Sequence, residues 1–212
     1  MRPLIIFGTS DHARVVADAV PLTGQFSLLG FIDPKRRIGE RVGGAAVIGT
    51  DDDVPALREA HKDLCAFVAI GENAMREKVA AHNASLPFAT IVHPSAVLAR
   101  DVVFGVGVFV AASATINCGV KIGDHSIVNT GACVDHDCVL EEFSFVSPGA
   151  VLAGAVRVGR GALVATGANV IKYVQIGDHA IVGAGATAIR NVAAGTTVVG
   201  VPARPIQRKT TT

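Results

Sequence analysis

His136 lies between Asp135 and Asp137 in the run from Val134 to Cys138, inside a stretch otherwise built from apolar and small residues. An imidazole titrates near neutral pH, so it can take a proton from an amine or hydroxyl attacking an acyl group. A neighbouring carboxylate fixes the ring tautomer and favours the imidazolium that forms. The plainer reading of the same residues is a solvated turn. The remaining histidines are His12, His61, His82, His93, His125 and His179. Of these, His125 and His179 recur in one phrase, Ile-Gly-Asp-His, and read as exposed turns of a repeat.

A second group stands near the N-terminus. Gly8, Thr9, Ser10, Asp11 and His12 follow the apolar run Leu4 to Phe7. A glycine turn between a strand and a helix aims backbone amides at a phosphate or ribose. Asp33 follows the next apolar run, where a doubly wound sheet commonly holds a ribose hydroxyl, but it also opens an Asp-Pro turn. Cys65, Cys118, Cys133 and Cys138 contain no Cys-x-x-Cys pair and read as reduced, packed thiols. Cys133 or Cys138 as an acyl-carrying nucleophile is the alternative to direct attack, and packing already accounts for Cys138.

Two kinds of element must position these residues. Up to about residue 90, strands at Leu4–Phe7, Leu28–Ile32 and Ala66–Ile70 alternate with helices at Asp11–Val20, Asp51–His61 and Asn73–Asn83. That alternation predicts a small parallel α/β sheet. From residue 91 the frame is six, without an insertion. Sixteen of the nineteen positions from Val92 in steps of six are Val, Ile, Leu or Phe, and the series from Thr90 holds only Thr, Ser, Cys, Ala or Val. Six is neither a helical period nor the two of a lone strand. It predicts a parallel β-helix of flat faces, each contributing an inward branched side chain and a small corner residue. Residues 91–204 make a little over six coils of 18, a prism about 30 Å tall. The expected domains are 1–88 and 89–212.

Composition fits that division and excludes several classes. Half the chain is apolar but only 5% is aromatic, with no Trp and 23 Gly, so Val, Ile and Ala must form the core. A net charge of +1 is too balanced for electrostatic nucleic-acid binding. Val102–Val120 carries no charge over nearly the length of a bilayer span, yet its Gly, Ser, Thr and Asn residues fit the hexad and not lipid. The short Leu4–Phe7 run is no signal-peptide core, so a cytoplasmic protein is expected.

The segments LIIFGTSDHARVV, GFIDP, FVAIGENAMR, IVHPSAVLA, NTGACVDHDCVL and VVGVPARPI, in this order, resemble the left-handed β-helix acetyltransferases of the sialic-acid O-acetyltransferase and nucleotide-sugar N-acetyltransferase type. The resemblance spans nearly the whole chain and supplies the left hand, which the period leaves open. It implies an acetyl-CoA-dependent enzyme without a metal, acting on a nucleotide-linked amino sugar for a surface glycan. His136 would be the base and Asp137 its orienting partner. Gly8, Thr9, Ser10, His12, Asp33 and Gly71 would line the nucleotide-sugar site, with Gly154 as an oxyanion donor and Thr166 and Ala184 on the pantetheine arm. It further implies a homotrimer with active sites between subunits, an association consistent with the apolar flats of the prism. Two positions depart from the pattern. Asp11 stands where relatives usually carry glycine, and Phe145 stands where the N-acetyltransferases often carry a second histidine.

Other readings remain open on the sequence. Sugar O-acetylation would use the same His136. A hexapeptide-repeat carbonic anhydrase needs three imidazoles on a metal, for which His125 and His136 are too few. A nucleotide-binding scaffold without catalysis would accommodate both departures.

Overall fold

The computed structural model describes residues 1–206 and begins with a lobe built on one five-stranded sheet. The expected second domain's residues 207–212 lie outside the described residues. The lobe's elements are β1 (Arg2–Phe7), α1 (Asp11–Leu22), β2 (Phe26–Ile32), β3 (Arg41–Val42), β4 (Ala45–Gly49), α2 (Val54–Ala60), β5 (Cys65–Val68) and α3 (Asn73–His82). The spatial order is β3-β4-β2-β1-β5, and only the β3–β4 pair is antiparallel. Leu4, Ile5 and Ile6 of the central β1 are fully buried, as a parallel strand covered on both faces must be.

The alternation of strand and helix is as the sequence predicts, with two differences. The β3–β4 hairpin, turning at Gly43 and Gly44, has strands too short to leave a periodic signal. The stretch expected as one helix, 51–61, is a single 3-10 turn at Asp51–Asp53 followed by α2, because Pro55 has no N–H to continue a helical ladder from before it.

From Ile91 the chain winds into a three-faced β-helix. Strands pair in parallel one coil apart, as Thr115 with Cys133 and Cys133 with Val151, except that Arg204–Pro205 runs antiparallel to Thr197–Val199. The lobe face has eight strands and includes Phe109–Val110, Ile127–Val128 and Phe145–Val146. The groove face has six, including Cys133–Val134 and Val151–Leu152. The third face has five, including Val139–Leu140 and Arg157–Val158. Inside the prism, Val110, Ile116, Val128, Val134, Leu140 and Val146 stack at no more than 1% exposure. Each contributes roughly 1.5–3 kcal/mol relative to an exposed side chain. Small corner residues such as Ala114, Ala132, Cys138 and Ala150 fill the remaining interior.

The six-residue frame does not run unbroken to its end. Val170 pairs with Ala188 eighteen residues on, but Ile176 bridges to Val192 and Val182 pairs with Val198, sixteen on. The last coil is two residues shorter after Ala188. Val192 and Val198, which the strict frame puts at corners, therefore take the inward places it assigns to Ala194 and Gly200. Burial drives the slip: two valines go inside, at 6% and 4% exposure, instead of an alanine and a glycine.

The lobe packs on its own β-helix. Ala13, Val16 and Val20 of α1 share one buried cluster with Ile91, Phe109 and Ile127, whose side chains point outward from the lobe face. α3 lies along the vertex where the third face turns into the lobe face, and Arg160 of that vertex pairs with Glu77 of α3 at 2.6 Å.

Candidate active site

His136 sits at the vertex where the groove face turns into the third face. The local fold fixes its ring. Asp137 is left-handed at φ 59°, which brings its carboxylate back onto its neighbour, so that His136 Nδ1 lies 2.8 Å from Asp137 Oδ2. A carboxylate only accepts, so Nδ1 carries the proton and Nε2 is left with a free lone pair. Asp135 turns the other way. Its Oδ1 accepts from the His136 backbone N–H at 2.8 Å and from Asn117 Nδ2 at 2.7 Å, the latter from one coil below.

The charges follow this geometry. The hydrogen bond to Asp137, and then the charge of Asp135, raise the His136 imidazole above its ordinary value of 6.5. Asp135 is held below the usual carboxylate range, first by Asn117 and then by the His136 N–H.

Gly154 stands one coil above the imidazole. A Cβ there would lie 2.5 Å from His136 Nε2 and 2.6 Å from Cε1, so only glycine leaves the ring its place. Among the described residues the Gly154 N–H has no protein acceptor, unlike that of Ala155, which donates to His136 O at 2.8 Å. His136 and Gly154 border a groove of about 570 Å³ whose walls are Val151, Asn169, Lys172 and Tyr173. Lys172 and Tyr173 were not singled out by sequence. Together with Asn117 they become visible once the coil of 18 is applied to positions 135 to 137.

The loops after β1, β2 and β5 converge at one edge of the lobe sheet and bring the second group together. Gly8 has φ 95°, and a Cβ there would meet Ile70 at 2.9 Å, so the residue is needed for both conformation and closeness. Thr9 Oγ1 donates to Asp33 Oδ2 at 2.5 Å, and Asp33 Oδ1 accepts the Lys35 N–H at 2.9 Å. Asp33 thus serves the Asp-Pro turn and ties two loops. Ser10 precedes α1 and reaches Ala69 O at 3.4 Å. Asp11 points away into solvent, 3.5 Å from Arg14. A cleft of about 920 Å³ opens between α1 and the β3–β4 hairpin; Asp11 lines it, but Gly8, Thr9, Ser10, His12, Asp33 and Gly71 do not.

His12 faces inward against Phe109 and Phe145, with ring centroids 5.6 and 6.1 Å away, and Gly71 also approaches Phe145. Phe145 therefore belongs to the seam between lobe and prism. Burial, and then the Arg76 charge, push the His12 imidazole down to about 4. Thr166 and Ala184 are exposed and stack one coil apart at the vertex between the lobe and groove faces, across the groove face from His136 in the same chain.

Two expectations are corrected. His125 is not an exposed turn residue: α3 and Phe88 cover it, its ring stacks on Phe143 at 5.0 Å, and burial pushes it down to about 4. His179, in the same phrase, is exposed because the lobe does not reach its coil. The cysteines are not all packed either. Cys65 and Cys138 are buried, but Cys118 and Cys133 are exposed, since one lies on a turn and the other points outward from a strand. Burial pushes the Cys138 thiol up to about 11, which disfavours a thiolate nucleophile there. Among the described residues no group of three or more His, Cys, Asp or Glu is disposed to hold a metal ion, and no helix is long and apolar enough to cross a membrane.

A six-residue coil prism with a carboxylate-held imidazole in an outer groove, carrying a small parallel α/β lobe, defines a hexapeptide-repeat acyltransferase. Comparison with known proteins narrows the class. The PglD N-terminal domain family matches residues 3–82. A His-to-Asn variant of perosamine N-acetyltransferase from Caulobacter crescentus, in complex with CoA and GDP-perosamine, is 36% identical with a TM-score of 0.91, covering 98% of both chains. The acetyltransferase domain of PglB from Neisseria gonorrhoeae, in complex with acetyl coenzyme A, is 33% identical with a TM-score of 0.89, covering 97% of this chain and 99% of that one. UDP-N-acetylbacillosamine N-acetyltransferase from Bacillus subtilis is 35% identical over 114 residues, 53% of this chain and 52% of that protein. The match thus spans about half the length of that curated relative. The chain belongs to the family of left-handed β-helix sugar N-acetyltransferases that these proteins represent.

Proposed function

We propose that this chain transfers the acetyl group of acetyl-CoA to the amino group of a nucleotide-linked amino sugar, of the UDP- or GDP-4-amino-4,6-dideoxy kind, for a surface glycan. The observation that carries the reading is the His136 ring, tied through Nδ1 to Asp137 at 2.8 Å with Nε2 facing the groove beside Gly154. The acceptor nitrogen attacks the thioester carbonyl carbon while His136 Nε2 takes its proton. The tetrahedral oxyanion is met by the Gly154 N–H, which has no acceptor among the described residues. The C–S bond then breaks, and the imidazolium returns the proton to the departing CoA thiolate. Holding both reactants in one groove supplies much of the rate.

The lobe's loop, with Gly8, Thr9, Ser10, His12, Asp33 and Gly71 around it, is the acceptor's nucleotide site in this reading. Asp11 is exposed to solvent 3.5 Å from Arg14, whose charge offsets its own. Thr166 and Ala184 contact the pantetheine arm. The placement of the loop also supports a trimer. His136 stands at the vertex opposite the face that carries its own lobe, so an acceptor held by that lobe cannot reach it within one chain. A neighbouring chain whose lobe abuts the groove completes the site, with Thr166 and Ala184 of one prism facing the groove of the next.

Thiol release from acetyl-CoA, measured with a panel of UDP- and GDP-linked 4-amino sugars and free sugars, tests the acceptor. Turnover with a nucleotide-linked amine is expected. Turnover with free sugars alone would replace this reading with sugar O-acetylation.

A further inference from the structure

Arg76 is fully buried, yet among the described residues no carboxylate forms an ion pair with it. Its guanidinium spends its donors on neutral oxygens. Nε donates to His125 O at 2.8 Å, one terminal nitrogen to Ile70 O at 3.0 Å and Gly71 O at 3.4 Å, and the other to Asn73 Oδ1 at 2.8 Å and Phe143 O at 2.7 Å. Five N–H groups meet five acceptors, a match the planar fork of arginine makes and a lysine ammonium cannot. Among the described residues His125 O and Phe143 O have no other backbone partner and would otherwise be orphaned under the lobe.

The acceptors fall into two sets. Ile70 and Gly71 form the loop after β5, which packs on Gly8 and walls the lobe's acceptor loop. His125 and Phe143 are the same vertex position on successive coils. Asn73, which Arg76 holds, extends the series by donating to Gly161 O, the next coil up, at 2.9 Å. One turn of α3 therefore reads three coils of the prism in register while gripping the loop of the lobe. Apolar packing alone tolerates sliding; directional bonds to carbonyls at fixed coil spacing do not.

We propose that Arg76, with Asn73, is a positioning residue that locks the acceptor loop at one height and angle on the coil stack, so that the lobe presents its sugar at the level of the imidazole. This rests on the function proposed above. It assigns Arg76 no contact with either substrate. Misplacing a reactant by about an ångström costs on the order of a hundredfold in rate, so a loosened lock is felt in acceptor use while the CoA groove, built by the prism alone, is untouched.

The test compares wild type with Arg76→Lys and Asn73→Ala, well below their melting temperatures. Amide hydrogen exchange at 69–74 should speed about tenfold in Arg76→Lys, with exchange at 133–140 unchanged. The kcat/KM for the best nucleotide amino sugar should fall about tenfold, with the Kd for CoA within about twofold, and Asn73→Ala should shift both readouts the same way by less. Exchange at 69–74 that stays at the wild-type rate overturns the lock. So does a folded Arg76→Lys protein with a lowered melting temperature and unchanged kcat/KM, which marks a merely structural role. Failure of the substrate reading shows separately, as wild-type protein that turns over none of the panel, and the exchange measurement still decides the lock. If Arg76→Lys does not fold, Asn73→Ala decides, wild-type exchange and kcat/KM in that variant overturning the proposal.

Discussion

At the scale of single residues the site is a matter of two bonds and a missing methyl. Because Asp137 and then Asp135 raise the His136 imidazole, the neutral ring that can accept a proton prevails only above a pH higher than 6.5. The kcat/KM should therefore rise with pH through that inflection and level off. Asp137→Asn should move the inflection to lower pH and drop the plateau by about 10- to 100-fold; an unmoved inflection in the pH–rate profile would remove Asp137 from the role given it. Gly154→Ala places a Cβ 2.5 Å from Nε2 and pushes the ring aside, and about a hundredfold loss of turnover with a nearly unchanged melting temperature is expected. His136 was legible in sequence because carboxylates flank it within an apolar repeat. Arg76 was not. Nothing in Asn-Ala-Met-Arg distinguishes a helix arginine in solvent from one that also donates to carbonyls 49 and 67 residues away.

At the scale of elements, periodicity did most of the work, since every coil repeats the same demand for one branched side chain inside. Where that demand could be met in two frames, as at Val192 and Val198, the period alone placed the last coil wrongly. His125 and His179 make the same point: identical local phrases, one buried and one exposed, separated only by where the lobe lies. That seam has a pH signature. His12 and His125 are held near 4, so between there and their ordinary 6.5 the unfolded chain binds protons that the native state refuses. Stability is full above about 6.5 and is lost as the pH falls toward 4, by at most about 3 kcal/mol for each imidazole. Urea midpoints measured across that range should decline for wild type and flatten in His12→Gln/His125→Asn, where Asn also accepts the positive φ at 125. Equal slopes in both proteins would mean that these imidazoles are hydrated.

At the scale of the whole molecule, the prism separates what a single chain must bring together. The loop proposed to hold the acceptor packs on one face and the imidazole stands at the vertex opposite, an arrangement that supports the proposed site shared between neighbouring copies. Exposed Val97, Val103 and Val151 on the flats are consistent with such contacts. Mixing His136→Ala chains with chains whose acceptor loop is blocked by Gly8→Val should restore part of the activity that each lacks alone, because mixed trimers contain one intact pairing of lobe and groove. The account as a whole stands most directly on the imidazole. Thiol release by His136→Ala, measured beside wild type at equal CoA occupancy, should fall at least about a thousandfold while CoA binding and assembly persist. A variant that kept a tenth or more of the wild-type rate would contradict it.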